Sequence, residues 1–462
     1  MILNIILIFA IMFAALQVQG KYKLASPITI ITLTMLVKYI YPGFMGFVDI
    51  AVFSEEMLVF IVILVLVDAF ILRLEEVKEN WISLAYLAGV TVALSVLMGV
   101  TVANTIFAEY NLSVGALIAL FAMCMATDPV SVVAVFQQFK LPHKLKFFAE
   151  GESLFNDAVA VIMFNAFGLF MMTGGVVTVA YAISATTQIL IGSTIIGIGV
   201  GVTGIALMKL AKDVKSELLL VLLIAYTAFF LAEHTHMFGG TSPLSGLLAE
   251  IIAVLTATAI IHKSIERDKK RININKEAII ENVSNDTKRK NKTAYNLVNR
   301  FMSDITDENR HKEVGEFLGV IALLVNGVLF VSLANIINLD NMLLYWKEIL
   351  SMFVVTTIIR ALMMSKFAFF SNKSNKMVDI NLRWFAVLLF AGIKGGLSIV
   401  MLHMMAIAAP EFRHLVMFEA IVTGVILLSV FIYVPMLMII IGSNKEKFEK
   451  EYEAEKAAYL SY

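Results

Sequence analysis

The sequence predicts an all-α polytopic membrane protein of about thirteen transmembrane helices, and three observations carry that expectation. Of the 462 residues, 60% are hydrophobic and only 16% are charged, against roughly a quarter charged in soluble domains. The apolar residues gather in runs long enough to span a bilayer core, which takes about 20 residues of helix. Lys and Arg collect in alternate connections between those runs, the asymmetry that separates cytoplasmic loops from the opposite side. The formal net charge of zero leaves no basic footprint for a nucleic acid. The single Cys124 excludes an intrachain disulfide and, inside an apolar run, reads as a buried packing residue.

The first run, residues 2–18, has no basic segment before it and no small-residue cleavage site, so it reads as a span rather than a signal peptide. The second, 27–41, carries Lys38 near its outer end, where the stem can snorkel to the interface. Asp68 lies in the third, 57–72, and the fourth is 81–108. The fifth, 112–136, is interrupted by Thr127-Asp128-Pro129. Proline removes a hydrogen bond and disfavours helix at the residue before it, so Asp128 should sit at a break with free carbonyls nearby. The sixth, 148–172, opens on Glu150-Gly151-Glu152-Ser153-Leu154-Phe155-Asn156-Asp157. Helical spacing puts Ser153 one turn from Asp157 and Glu152 one turn from Asn156, two polar stripes side by side.

The seventh to ninth runs are 176–208, 217–231 and 237–261, the last holding Glu250. A polar stretch from Lys263 to His311 follows, read as a cytosolic loop. The tenth and eleventh are 317–337 and 342–370, with Arg360 near mid-span; the twelfth, 384–409, contains Gly392-Ile393-Lys394-Gly395-Gly396-Leu397-Ser398; the thirteenth is 418–441. Arg360 and Lys394 are too deep to snorkel and call for buried acidic partners or a wet cavity. The basic loops lie on one side with the C-terminal tail, placing the C-terminus in the cytoplasm and the N-terminus outside.

Two interrupted helices, the fifth and the twelfth, occupy matching places if spans one to six and eight to thirteen are inverted repeats around a linking seventh. Paired broken helices of this kind mark the ion site of many secondary transporters. The Ser153 and Asp157 oxygens are the hard ligands a small cation prefers. His234, His236 and His403 read as loop or packing histidines.

At these residues the chain resembles the NhaP/NHE-type sodium/proton antiporters, the branch with Asn-Asp in the sixth span. The resemblance rests on Thr127-Asp128-Pro129, Gly151 through Asp157, Arg360, and Gly395-Gly396 with Ser398, with weaker agreement at Ser245-Gly246-Leu247-Leu248-Ala249 and Asn326. It implies crossed broken helices and a core bundle at 81–172 and 339–441. That core moves against a dimerisation bundle at 1–80, within 173–262 and at 314–338, with 263–313 a cytosolic loop and 442–462 a cytosolic tail. It also implies that Asp157 carries cation and proton, with Ser153, the Thr127 backbone, Asp128 and Asp68 as Na⁺ ligands, directly or through water. Glu152 and Arg360 would form a buried ion pair, and Asn156 would hold the crossing helices. The family usually has arginine at Lys394, and lysine cannot reproduce a planar fork.

The expected activity is exchange of Na⁺ or Li⁺ for H⁺ by a homodimer in the cell membrane, with no cofactor and no enzymatic reaction. Asn156 cannot titrate, so one carboxylate carrying one cation or one proton predicts electroneutral exchange. A K⁺/H⁺ antiporter is the near alternative and a cation channel a more distant one. An intramembrane aspartyl protease using Asp128 and Asp157 lacks the sequence contexts such enzymes favour, and no Walker pattern supports an ATP-driven pump.

Overall fold

A chain in hydrocarbon satisfies its backbone N–H and C=O groups most readily as helix, and among the described residues each apolar run is accordingly helical, with breaks in the fifth and the twelfth. The computed structural model describes residues 2–22, 26–44, 50–208, 210–235, 244–259, 261, 287–374 and 377–460. In chain order the helices are α1 (Ile2–Tyr22), α2 (Ser26–Ile40) and α3 (Ile50–Ile71), α4 (Trp81–Ile106), and α5a (Val114–Met125) with α5b (Pro129–Phe136). Then come α6 (His143–Met172), α7 (Val179–Met208), α8 (Val214–Glu233) and α9 (Gly246–Ala259). The chain continues with α10 (Thr287–Ile336) and α11 (Trp346–Lys373), α12a (Leu382–Phe390) and α12b (Gly396–Ala408), α13 (Leu415–Ser443) and α14 (Lys445–Leu460). Among the described residues there is no strand.

Helix starts follow from local chemistry. Ser113 Oγ accepts the Ala116 N–H at the start of α5a, Asp213 Oδ1 accepts that of Ser216 at α8, and Asn381 Oδ1 accepts that of Trp384 at α12a. Pro129, which has no N–H to give, takes the first position of α5b. Two wide π-helical turns, Ala85–Val90 in α4 and Phe164–Leu169 in α6, have no compositional signature and were not anticipated.

Between the halves of α12 the chain leaves the helix after Phe390 and restarts at Gly396. The two breaks meet. The Asp128 N–H donates to the Ile393 carbonyl at 2.7 Å, and a Cβ added to Gly395 would lie 2.4 Å from the Asp128 Cβ. Around this crossing, α4 packs on α5a and α11, and α13 packs on α11 and α12a. On the other side α10 packs on α2 and α3, α1 on α2, and both α3 and α10 reach α12b.

One expectation changes. Residues 262–286 of the polar stretch lie outside the described residues, but from Thr287 the chain is helical and runs unbroken into the tenth span, so the segment is not loop up to 313. Residues 287–313 contain no Pro or Gly, and a helix already nucleated in the membrane extends at little cost through such a sequence. The base of α10 is pinned by charge: Glu217 on α8 accepts from Arg310 at 2.6 Å and lies 2.7 Å from His311 Nδ1, whose ring stacks near Phe70 at 4.4 Å. Lys38 donates to the Ile337 carbonyl at 3.4 Å, at the negative end of α10.

Candidate ion-binding site

The break in α5 faces the polar stripes of α6. The Thr127 N–H, freed by the end of α5a, donates to Asp157 Oδ1 at 2.9 Å, and the Thr127 and Ser153 hydroxyls are 2.8 Å apart. Asp157 Oδ2 takes no hydrogen bond among the described residues, and Asp157 is 6% exposed. One carboxylate oxygen is thus fixed by the backbone while the other is open, beside two hydroxyl oxygens.

Asn156 joins the same break from the neighbouring stripe. Its Nδ2 donates to the Met125 carbonyl and to Thr127 Oγ1, each at 3.2 Å, and to Glu152 Oε1 at 3.3 Å. Glu152 receives both guanidinium nitrogens of Arg360 at 3.0 Å, a bidentate pair between α6 and α11. Arg360 also donates to the carbonyls of Leu389 at 3.1 Å and Leu388 at 2.9 Å, at the end of α12a where the helical ladder runs out. Gly392 makes room for this: a Cβ there would lie 2.3 Å from Arg360 Nε.

Lys394 was expected to find an acid or a wet cavity. Its Nζ instead donates to the Met125 carbonyl at 3.1 Å, while its backbone N–H donates to Ser429 Oγ at 2.9 Å. That carbonyl is available because α5a stops there, so the cation of one broken helix caps the negative end of the other.

Asp128 is held by its own helix and by α10. Ser131 Oγ donates to its Oδ2 and Asn326 Nδ2 to its Oδ1, the latter at 3.4 Å. Asp68, on α3, makes no hydrogen bond among the described residues but lies within electrostatic reach of Asp128, Asp157 and Glu150. The structure therefore brings Asp157, Ser153, Thr127 and Asn156 into one hydrogen-bonded cluster, and the side-chain hydrogen bonds described for Asp128 lead elsewhere. Sequence reasoning missed Ser131, although its place three residues after Asp128 on a helix is a readable signal. Ser429 and the carbonyls of Met125, Leu388, Leu389 and Ile393 leave no mark in the sequence.

Two turns beyond Asp157 on α6, Asn165 lines a small cavity with Val161, Ile162, Ile189, Glu233, Leu244 and Ser245. His234 stacks on Phe230 at 4.1 Å, and His403 Nδ1 lies 2.8 Å from the Ile399 carbonyl; His236 is outside the described residues.

Comparison with known proteins gives the family and the fold. Residues 6–273 match the family described as sodium/hydrogen exchanger, transmembrane. The Na⁺/H⁺ antiporter ApNhaP of Aphanothece halophytica is 27% identical over 77% of this chain and 60% of its own length. The low-affinity Na⁺/H⁺ antiporter NhaS1 of Synechocystis is 34% identical over 41% of this chain and 36% of its own. NhaG of Bacillus atrophaeus is 34% identical over 31% and 27%. The alignments thus span about a quarter to three fifths of these relatives' lengths. In fold, the chain superposes on the sodium proton antiporter MjNhaP1 of Methanocaldococcus jannaschii with a TM-score of 0.66 at 14% identity, covering 96% of this chain and 97% of that one.

Proposed function

The chain belongs to the sodium/hydrogen exchanger family, and from that premise we propose that it exchanges Na⁺ or Li⁺ for H⁺ across the cell membrane, electroneutrally and by alternating access. The observation that carries this reading is Asp157, one oxygen tied to the Thr127 N–H and the other open beside the Ser153 and Thr127 hydroxyls.

A cation and a proton bind the same open oxygen and cannot share it. The cation takes the Asp157 carboxylate with Ser153 and Thr127 as further oxygen ligands, and the proton neutralises the carboxylate and removes its hold on the cation. Asn156 occupies the neighbouring position with an amide that carries no charge in either state. One cation therefore exchanges for one proton. Glu152 is paired with Arg360 and Lys394 with the Met125 carbonyl, while Asp157 keeps one oxygen open beside two hydroxyls and is in this reading the group that changes state.

The movement we infer is of α4 to α6 and α11 to α13 against the other spans, with two chains associating through the latter as a homodimer. The N-terminus is then outside and the C-terminus cytoplasmic.

Proton flux in proteoliposomes, driven by Na⁺, Li⁺ or K⁺ gradients at clamped membrane potential, tests the reading. Na⁺ or Li⁺ should drive flux that an imposed potential leaves unchanged, and Asp157→Asn should reduce it to the rate of empty vesicles. Persistent cation-dependent proton flux in that variant would remove Asp157 from the mechanism.

A further inference from the structure

One buried acid takes no part in the site described above. Glu250, in α9, is 0% exposed, and neither of its carboxylate oxygens has a hydrogen-bond partner among the described residues. Glu152, equally deep, has Arg360 and Asn156, and Asp157 has the Thr127 N–H. Glu250 has no counterpart of either.

Its surroundings follow from how α9 packs. Toward α7 the backbones touch: a Cβ added to Gly197 would lie 2.6 Å from the Ala249 carbonyl oxygen, and one added to Gly201 would lie 2.8 Å from that of Ala253. Toward α8, a Cβ added to Gly246 would lie 2.6 Å from Phe229 Cδ2 and 2.9 Å from Glu233 Cγ. Residues four apart share a helix face, which puts Glu250 on the face that Gly246 sets against α8. Tyr226, one turn before Phe229, is accordingly within electrostatic reach of Glu250.

No positive charge is at hand. Between Gly246 and Ala259, α9 has no other ionisable residue, and α7 has only Tyr181, whose hydroxyl donates to the Ala166 carbonyl. On α8, Tyr226 donates its hydroxyl proton to the Val59 carbonyl of α3, Glu233 accepts the Gly246 N–H, and Glu217 is held by Arg310 and His311. Among the described residues no charged side chain is within electrostatic reach of Glu250, neither Asp157 on α6 nor Asp68 on α3 included. A bare carboxylate with no cation and no donor is far costlier in such a place than the neutral acid.

We propose that Glu250 is a proton-binding site separate from the exchange site, holding one proton throughout the exchange cycle and keeping α9 packed on α8 while that proton is bound. The protonated side chain is an uncharged group between two closed helices. Its loss of the proton would leave a charge there that water reaches only if α8 and α9 part, so the contact between them is proton-dependent.

Infrared spectra of the full chain in lipid at neutral pH test the site. A protonated-carboxyl C=O stretch should be present, lost in Glu250→Gln, and unmoved by saturating Na⁺, for which Glu250 has no further oxygen ligands. Detergent unfolding across pH gives the second measurement. An unfolded chain ionises Glu near about pH 4, so the folded chain holds one more proton, and rising pH should favour unfolding about tenfold per unit while Glu250 stays protonated. Glu250→Gln keeps the shape without a proton to lose, and Glu250→Met removes the polar atoms altogether. Both should lack that tenfold dependence. A C=O region identical in the unsubstituted chain and both variants, a Glu250 band that Na⁺ removes, or the same pH dependence in all three proteins overturns the proposal.

Discussion

At the scale of single residues, the cost of burying charge decides what the site can contain. Arg360 and Glu152 are 7% and 1% exposed and meet through two 3.0 Å hydrogen bonds. Removing one partner from such a pair costs about 3–5 kcal/mol, because the other charge stays buried. Glu152→Gln should therefore lower the midpoint of detergent or denaturant unfolding sharply. Glu152→Gln combined with Arg360→Met should recover part of that loss and not all of it, since the Leu388 and Leu389 carbonyls also lose their donor. Strictly additive losses in this double-mutant cycle would show that the pair is not coupled. Much of this chemistry was legible beforehand. The Ser153–Asp157 and Glu152–Asn156 stripes follow from helical spacing alone, and the depth of Arg360 announced a buried partner. The partner of Lys394 was not legible, because the Met125 carbonyl is an acceptor only where a helix stops. Neither were the hydrogen bonds of Asp128 to Asn326 and Ile393, which join segments distant in sequence.

At the scale of elements, the two broken helices act on each other through their unwound segments. Proline announced the first break and glycines the second, while the π-helical turns in α4 and α6 were silent because no residue type enforces them. The glycines do more than weaken helix: Gly395 permits the backbone of α12 to lie against Asp128. Gly395→Ala would place a methyl carbon 2.4 Å from the Asp128 Cβ and must push the crossing apart. The expected result is a loss of about 1–3 kcal/mol in stability with exchange reduced further than the folded fraction falls, because the Thr127 N–H and the Asp157 carboxylate lose register. Gly442→Ala, which meets nothing within 4 Å, is the control and should stay within about 0.5 kcal/mol of the original. Equal transport from both variants, measured per folded molecule in proteoliposomes, would show that close approach at the crossing does not matter.

At the scale of the whole molecule, the last helix fastens the start of two helices that lead into the site. α6 begins after Pro142, which offers no side-chain cap, and the missing cap comes from α14: Glu455 accepts the N–H groups of His143 at 2.5 Å and Lys144 at 3.2 Å. A carboxylate there also meets the positive end of the α6 dipole. One turn earlier on α14, Glu451 accepts from the Arg383 guanidinium and from Trp384 Nε1 at 3.0 Å, at the start of α12a. Phe448, fully buried, anchors the base of the helix. Nothing in the tail's composition pointed to this, since a charged amphiphilic end reads equally well as a solvated extension. If α14 binds these two helix starts together, Glu451→Gln with Glu455→Gln should speed amide hydrogen exchange at residues 143–147 and 382–385, by roughly tenfold for each 1.4 kcal/mol of local stability lost. Exchange in α1 and α2, which take part in none of these hydrogen bonds, should not change. Uptake unchanged at both helix starts, or raised evenly across the bundle, would show that α14 lies on these helices without holding them.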